Sequence, residues 1–109
     1  MARTFYRIVA TNPPTLADFL SDQERGRATL EDRPEVQRLR TGRSVYATLA
    51  QARRKARSYP FLGSYIAAVA VADESPLRVE RTLRSSPGHH TVWGDAELLL
   101  ASVLDVVTI

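Results

Sequence analysis

Hydrophobic and polar positions change period repeatedly along the chain, and each change marks an element boundary. Residues 4–10, TFYRIVA, are aromatic and β-branched and predict a first strand. The prolines of the following NPP stop it, because proline donates no ladder hydrogen bond. In TLADFLSD (15–22), Thr15 stands three residues before Asp18, and Leu16, Phe19 and Leu20 share one face. That pattern predicts a short capped helix. Residues 23–33 are charged and irregular. RPEVQRLRTG (33–42) predicts a second short helix, with Pro34 suited to its first position and Gly42 to its end. SVYAT (44–48) is a short strand. Thr48 and Gln51 form a capping box that opens a helix through LAQARRKARSY (49–59). On its wheel Leu49, Ala52 and Ala56 make a narrow apolar face, and Gln51, Arg53, Arg54, Lys55 and Arg57 cover the rest as a solvated surface.

The second half is richer in strand patterns. SYIAAVAVA (64–72) is apolar on both alternating faces, which predicts a central strand covered on both sides. One face carries Tyr65, Val69 and Val71; the other carries Ala68, Ala70 and Ala72 and admits close approach by a helix or a ligand. LRVERTL (77–83) alternates between Arg78, Glu80, Thr82 and Val79, Arg81, Leu83. HHTVW (89–93) is a short strand between the turn SSPG and a one-to-two-turn helix, GDAELLLAS, capped near Asp95. VLDVVTI (103–109) is a last strand. The expected fold class is therefore α+β: one compact domain over 1–109, about six mostly antiparallel strands and three to four short helices.

Composition narrows the class. A chain of 109 residues holds one core, and 44% hydrophobic with 25% charged residues is ordinary for a globular protein. The longest low-charge run, YPFLGSYIAAVAVA, has 14 residues and contains Pro and Gly, too few to span a bilayer; Met1 is not followed by a basic-then-apolar signal pattern. Without cysteine there is no disulfide framework and no thiolate metal cluster, and the default expectation is the cytoplasm. The net charge is +3, and fourteen of the fifteen basic residues are arginine. Arginine's planar fork suits phosphate and carboxylate, so an anionic partner fits. Acids are interspersed throughout, however, so the charge alone makes no nucleic-acid footprint.

Three positions carry candidate chemistry. His89 and His90 are the only histidines, and strand alternation sends them to opposite faces, so no metal site is expected. His89 shares a face with Thr91 and Trp93, an imidazole and an indole that would suit a nucleotide by hydrogen bonding and stacking; His90 shares the other with Val92. One histidine is expected to line a cleft, with structural roles in a strand as the alternative. Arg7 sits mid-strand among Phe5, Tyr6, Ile8 and Val9. A half-buried guanidinium needs a partner, and Glu80, Asp105, Asp18 or an anionic ligand could supply it. Glu80 stands on an alternating strand that could equally be a wet face.

The order of these pieces resembles small ADP-ribosyltransferase-like domains of the rifampicin-modifying type over residues 4–72. The matching positions are Tyr6-Arg7, then Val45-Tyr46-Ala47-Thr48, then Ala52 and Ala56, then Gly63, Tyr65 and Ile66. The resemblance implies a curved, split sheet whose cleft grips NAD. It places catalytic roles on Arg7 (ribose or phosphate), Tyr46 (nicotinamide side) and Glu80 (stabilising the oxocarbenium-like cation). Ser44, Thr48, His89, His90 and Trp93 join them as candidate cofactor-binding residues, with no metal. The chain departs from the pattern in three places. No Gly or Thr follows Arg7, Glu80 is a lone carboxylate instead of a pair, and HHTVWGD has no counterpart.

Three function classes follow. The first is an ADP-ribosyltransferase-like domain, either an NAD-using transferase or a degenerate nucleotide-binding relative. The second is a non-enzymatic module that binds a protein partner. The third, least favoured, is an RNA- or DNA-binding accessory using Arg53, Arg54, Arg57 and RLRTGR. No membrane partner is expected, and the oligomeric state is open.

Overall fold

The first strand organises the fold. A computed structural model describes residues 2–27, 32–83 and 85–109; residues 28–31 of the irregular segment and Arg84 lie outside them. β1 (Ala2–Val9) is paired along its whole length with β3 (Tyr65–Ala72), antiparallel, from Ala2↔Ala72 to Val9↔Tyr65. On its other edge β1 meets β2 (Arg43–Tyr46) through a single register pair, Tyr6↔Tyr46. β2 pairs with β5 (His89–Trp93), β5 with β4 (Arg78–Arg81), and β3 with β6 (Val103–Thr108), all antiparallel. The order is β4-β5-β2-β1-β3-β6. Two three-stranded halves thus share a one-residue joint, and β1 and β2 have no further register pair beyond it.

Among the described residues three helices accompany the sheet: α1 (Pro34–Arg40), α2 (Leu49–Ser58) and α3 (Ala96–Ala101), with 3-10 turns at Leu16–Phe19 and Pro60–Leu62. The periodic runs therefore fold as their patterns predict, except that the TLADFLSD helix shortens to one 3-10 turn. The α+β class is as expected. A radius of gyration of 13.0 Å is that of a single domain of about 100 residues.

Alternation along the strands separates two cores. On one face Phe5, Val9, Val45, Ala67, Val69 and Val92 pack with Phe19 of the first 3-10 turn and Leu99 of α3. On the other, Tyr46 and Ile66 meet Ala52 of α2, with Tyr6 and Ile8 at the margin. The small residues of α2 bring it close to the sheet: Ala52 and Ala56 are fully buried. Thr48 caps it, its Oγ1 accepting from the Gln51 N–H at 3.1 Å while Gln51 Oε1 accepts the Thr48 N–H at 3.2 Å. Gly88 lies against this cap at φ +70°, and a Cβ there would fall 1.7 Å from Gln51 Oε1. Only glycine lets the β4–β5 turn sit on the helix N-terminus.

The solvated face expected on α2 is not uniform. Arg53 is half-buried, its Nη2 donates to the Thr108 carbonyl at 3.1 Å, and its buried Nε has no hydrogen-bond partner among the described residues. Lys55 turns inward and lies 4.5 Å from the centroid of the Tyr59 ring. A helical wheel shows which residues face away from the sheet, not which neighbouring segment they then meet. Among the described residues, no helix is long and apolar enough to cross a membrane.

Candidate functional site

Where β1 and β2 part beyond Tyr6↔Tyr46, a cleft of about 410 Å³ opens. Arg7 lies in it. Its strand neighbour on β3 is Ala67, fully buried, and this small residue leaves room for the long side chain on the same face. The guanidinium spans the opening. Nε donates to the Asp18 carbonyl and Nη1 to the Ser44 carbonyl, both at 2.8 Å. No carboxylate lies within salt-bridge distance of it among the described residues. Burial, with Arg25 and Arg43 nearby, lowers Arg7 to about 10, so it stays cationic at neutral pH.

Asp18, one of the partners considered for Arg7, bonds it through its carbonyl. Its carboxylate serves the chain instead. Oδ1 accepts from the Ala10 N–H at 2.8 Å, and Oδ2 accepts from the Thr15 N–H at 2.9 Å and the Thr11 hydroxyl at 2.8 Å. Burial alone would raise this carboxyl's pKa. The bonds from Thr15, Ala10 and Thr11, with Arg7 alongside, outweigh it and hold the pKa below the usual value.

Arg43, at the start of β2, anchors the neighbouring wall and is buried. It donates to the Phe19 carbonyl at 2.7 Å, the Gly94 carbonyl at 2.6 Å and Glu24 Oε1 at 2.6 Å. Glu24 and Ser21 bond each other reciprocally, Ser21 N–H to Oε1 at 3.0 Å and Glu24 N–H to the Ser21 hydroxyl at 3.1 Å. These bonds lower the Glu24 pKa, those from Ser21 most. The SDQE box (21–24) was there to be read where TLADFLSD runs into the charged stretch. Arg43 carried no such signal, since its three acceptors come from three distant segments.

The rest of the cleft adds Ser44, Tyr46, His89, Arg25, Arg27, Lys55, Asp22 and the rim residues Phe61, Leu62 and Leu83. Among the described residues, five cations (Arg7, Arg25, Arg27, Arg43, Lys55) thus face two carboxylates, Asp18 and Asp22. Burial raises the Tyr46 phenol pKa, with Arg7 opposing, and the ring meets His89 edge-on at 5.5 Å. Phe61 is 82% exposed and contacts Tyr59 edge-on. Leu83, in the cleft wall, has φ +49°, a left-handed conformation disfavoured for a leucine. A second hollow of about 310 Å³ shares Tyr46 and Lys55 with the first.

The eight candidate residues divide evenly. Arg7, Ser44, Tyr46 and His89 line the cleft. Glu80, Thr48, His90 and Trp93 do not. Glu80 accepts from Arg38 Nη1 at 3.0 Å, 43% exposed, with the Arg38 guanidinium 4.9 Å from the Trp93 ring. Trp93 donates to the Thr41 hydroxyl at 2.9 Å. These three therefore form a separate polar cluster against α1. Thr48 is occupied as the α2 cap. His90, opposite His89 as alternation requires, packs 5.1 Å from the Phe5 ring and bonds the Gly88 carbonyl. Lys55 and Phe61 are cleft residues that the periodic patterns did not single out.

No family model, no curated protein and no solved structure matches the chain.

Proposed function

We propose that this chain is an ADP-ribosyltransferase-like, nucleotide-binding domain, with NAD or a related dinucleotide as the ligand its resemblance implies. The observation that carries the reading is Arg7, a half-buried cation held open-handed between two main-chain carbonyls inside a predominantly basic cleft. Among the described residues no carboxylate lies within salt-bridge distance of this guanidinium, and such a cation suits a diphosphate. Lys55, Arg25 and Arg27 add charge, Phe61 offers an exposed aromatic face, and the second hollow beyond Tyr46 suits a two-part ligand.

Binding is better supported than transfer. The carboxylate that the resemblance assigns to the oxocarbenium-like cation, Glu80, is engaged by Arg38 outside the cleft, and Asp18 is saturated by donors. The reading is therefore the degenerate, nucleotide-binding relative.

Thermal unfolding with ADP, ADP-ribose and NAD tests it. A ligand at about 100 times its dissociation constant should stabilise the domain by about 2.7 kcal/mol. Arg7→Gln should abolish that shift, and Glu80→Gln should leave it unchanged. No shift with any nucleotide, or one indifferent to Arg7, refutes the reading. Nicotinamide released from NAD would show that transfer chemistry is intact after all.

A further inference from the structure

At the joint between the sheet halves, Ser44 and His89 make a contact that nucleotide binding does not require. The Ser44 hydroxyl and His89 Nε2 are 2.9 Å apart. The ring's other nitrogen, Nδ1, lies 3.2 Å from the Thr82 carbonyl and 2.9 Å from the Thr82 hydroxyl, which in turn is 2.6 Å from the Thr91 hydroxyl. A carbonyl can only accept, so the proton belongs on Nδ1 and the Nε2 lone pair is left for the Ser44 O–H. His89 is 4% exposed and edge-on to Tyr46, so its ring is fixed on both sides. Ser44, by contrast, is exposed and lines the cleft. An accessible hydroxyl, a base within hydrogen-bond reach and an acceptor orienting that base make up the arrangement that activates a serine nucleophile.

We propose that Ser44 and His89 are the nucleophile and general base of a hydrolytic site for a carboxylic ester that carries negative charge. The charge requirement comes from the same walls: Arg7 donates to the carbonyl of Ser44 itself, and Arg25, Arg27 and Lys55 border the space in front of it. In the first half-reaction Ser44 Oγ attacks the ester carbonyl carbon while its proton moves to His89 Nε2. The carbon–oxygen bond to the alcohol then breaks, and the alcohol leaves with that proton. In the second, water attacks the acyl-serine, His89 takes one water proton, and the carboxylic acid departs as that proton returns to Ser44 Oγ. Burial lowers the His89 pKa, with Lys55 and His90 acting in the same direction, against the opposing bond to Thr82; the imidazole is therefore neutral, as a base must be, at pH 7.

The inference goes beyond nucleotide binding, and its test uses no nucleotide, so either can fail alone. The full chain is incubated with an alkyl fluorophosphonate and followed by intact mass and peptide mapping. One adduct per chain is expected, on Ser44, absent from Ser44→Ala and forming at least tenfold more slowly in His89→Gln. Should His89→Gln fail to fold, Ser44→Cys decides: its thiol should react with iodoacetamide at pH 7 at least tenfold faster than glutathione does. With the uncatalysed rates subtracted, the 4-nitrophenyl monoester of terephthalic acid, whose carboxylate cannot reach its own ester, should be hydrolysed faster than 4-nitrophenyl benzoate. No adduct on Ser44, equal labelling in a folded His89→Gln, an ordinary thiol in Ser44→Cys, or equal or absent ester turnover overturns the proposal.

Discussion

Replacing Arg43 with alanine should destabilise the domain by about 3 kcal/mol, the largest effect expected of any single substitution in the cleft wall. The change removes three hydrogen bonds at once, two of them to the carbonyls of Phe19 and Gly94. A buried acceptor left without a donor costs about 1–3 kcal/mol, and the vanished side chain leaves a void between the first 3-10 turn and the end of β5. Little of the loss comes from the ion pair itself, because Glu24 is 45% exposed and water replaces its partner. For a domain of this size the unfolding temperature should fall by roughly 12–20 °C. Arg43→Lys should recover only a minority of it, since one ammonium cannot reach three acceptors that diverge like the prongs of a guanidinium. Calorimetry on the two variants checks both statements. An alanine variant within about 1 kcal/mol of the parent would mean that these bonds do not hold the wall.

Asp18→Ala should come next, at about 2–3 kcal/mol, because two backbone N–H groups and a hydroxyl lose their acceptor together. Asp18→Asn should do little better, since its NH2 would point at donors. The pH dependence has a definite sign. The folded Asp18 pKa lies below its unfolded value, so its contribution is complete above the unfolded value of about 3.9 and is lost as pH falls through the folded one. His89 acts earlier on the same descent. Its folded pKa is lowered, so below about 6.5 the unfolded chain takes up the proton that the folded ring refuses, and stability declines from there. Urea titrations between pH 3 and pH 8 should therefore show stability falling in two stages, with the lower one reduced in Asp18→Ala and the remainder carried by carboxylates such as Glu24, whose folded pKa is also lowered.

Most of the fold was legible because each element announces itself locally. Thr48 and Gln51 cap α2 as their spacing requires, and the period-two pattern of HHTVW puts His89 and His90 on opposite faces, one in the cleft and one against Phe5. Arg7 stood out as a charge in a strand that should be half-buried, and it lines the cleft. What could not be read was pairing at long range. Glu80 bonds Arg38, 42 residues earlier in the chain, and no alternation within RVERTL distinguishes that from a place in the cleft. Arg43 gives no local sign of its anchoring role, because its acceptors lie on the first 3-10 turn, the Ser21–Glu24 box and the end of β5. Lys55 and Phe61 reach the cleft only because α2 and the 3-10 turn after it are folded back over the sheet joint.

That joint has a consequence for motion. Because Tyr6↔Tyr46 alone registers β1 against β2, few main-chain hydrogen bonds resist separation of the two triplets of strands, whereas β1 and β3 are zipped along eight residues. Amide hydrogens of β2 facing β1 should therefore exchange with deuterium through a partial opening well before those of the β1–β3 ladder, which should wait for global unfolding. The domain would breathe along this seam, and a molecule clasped within it would act as a rivet.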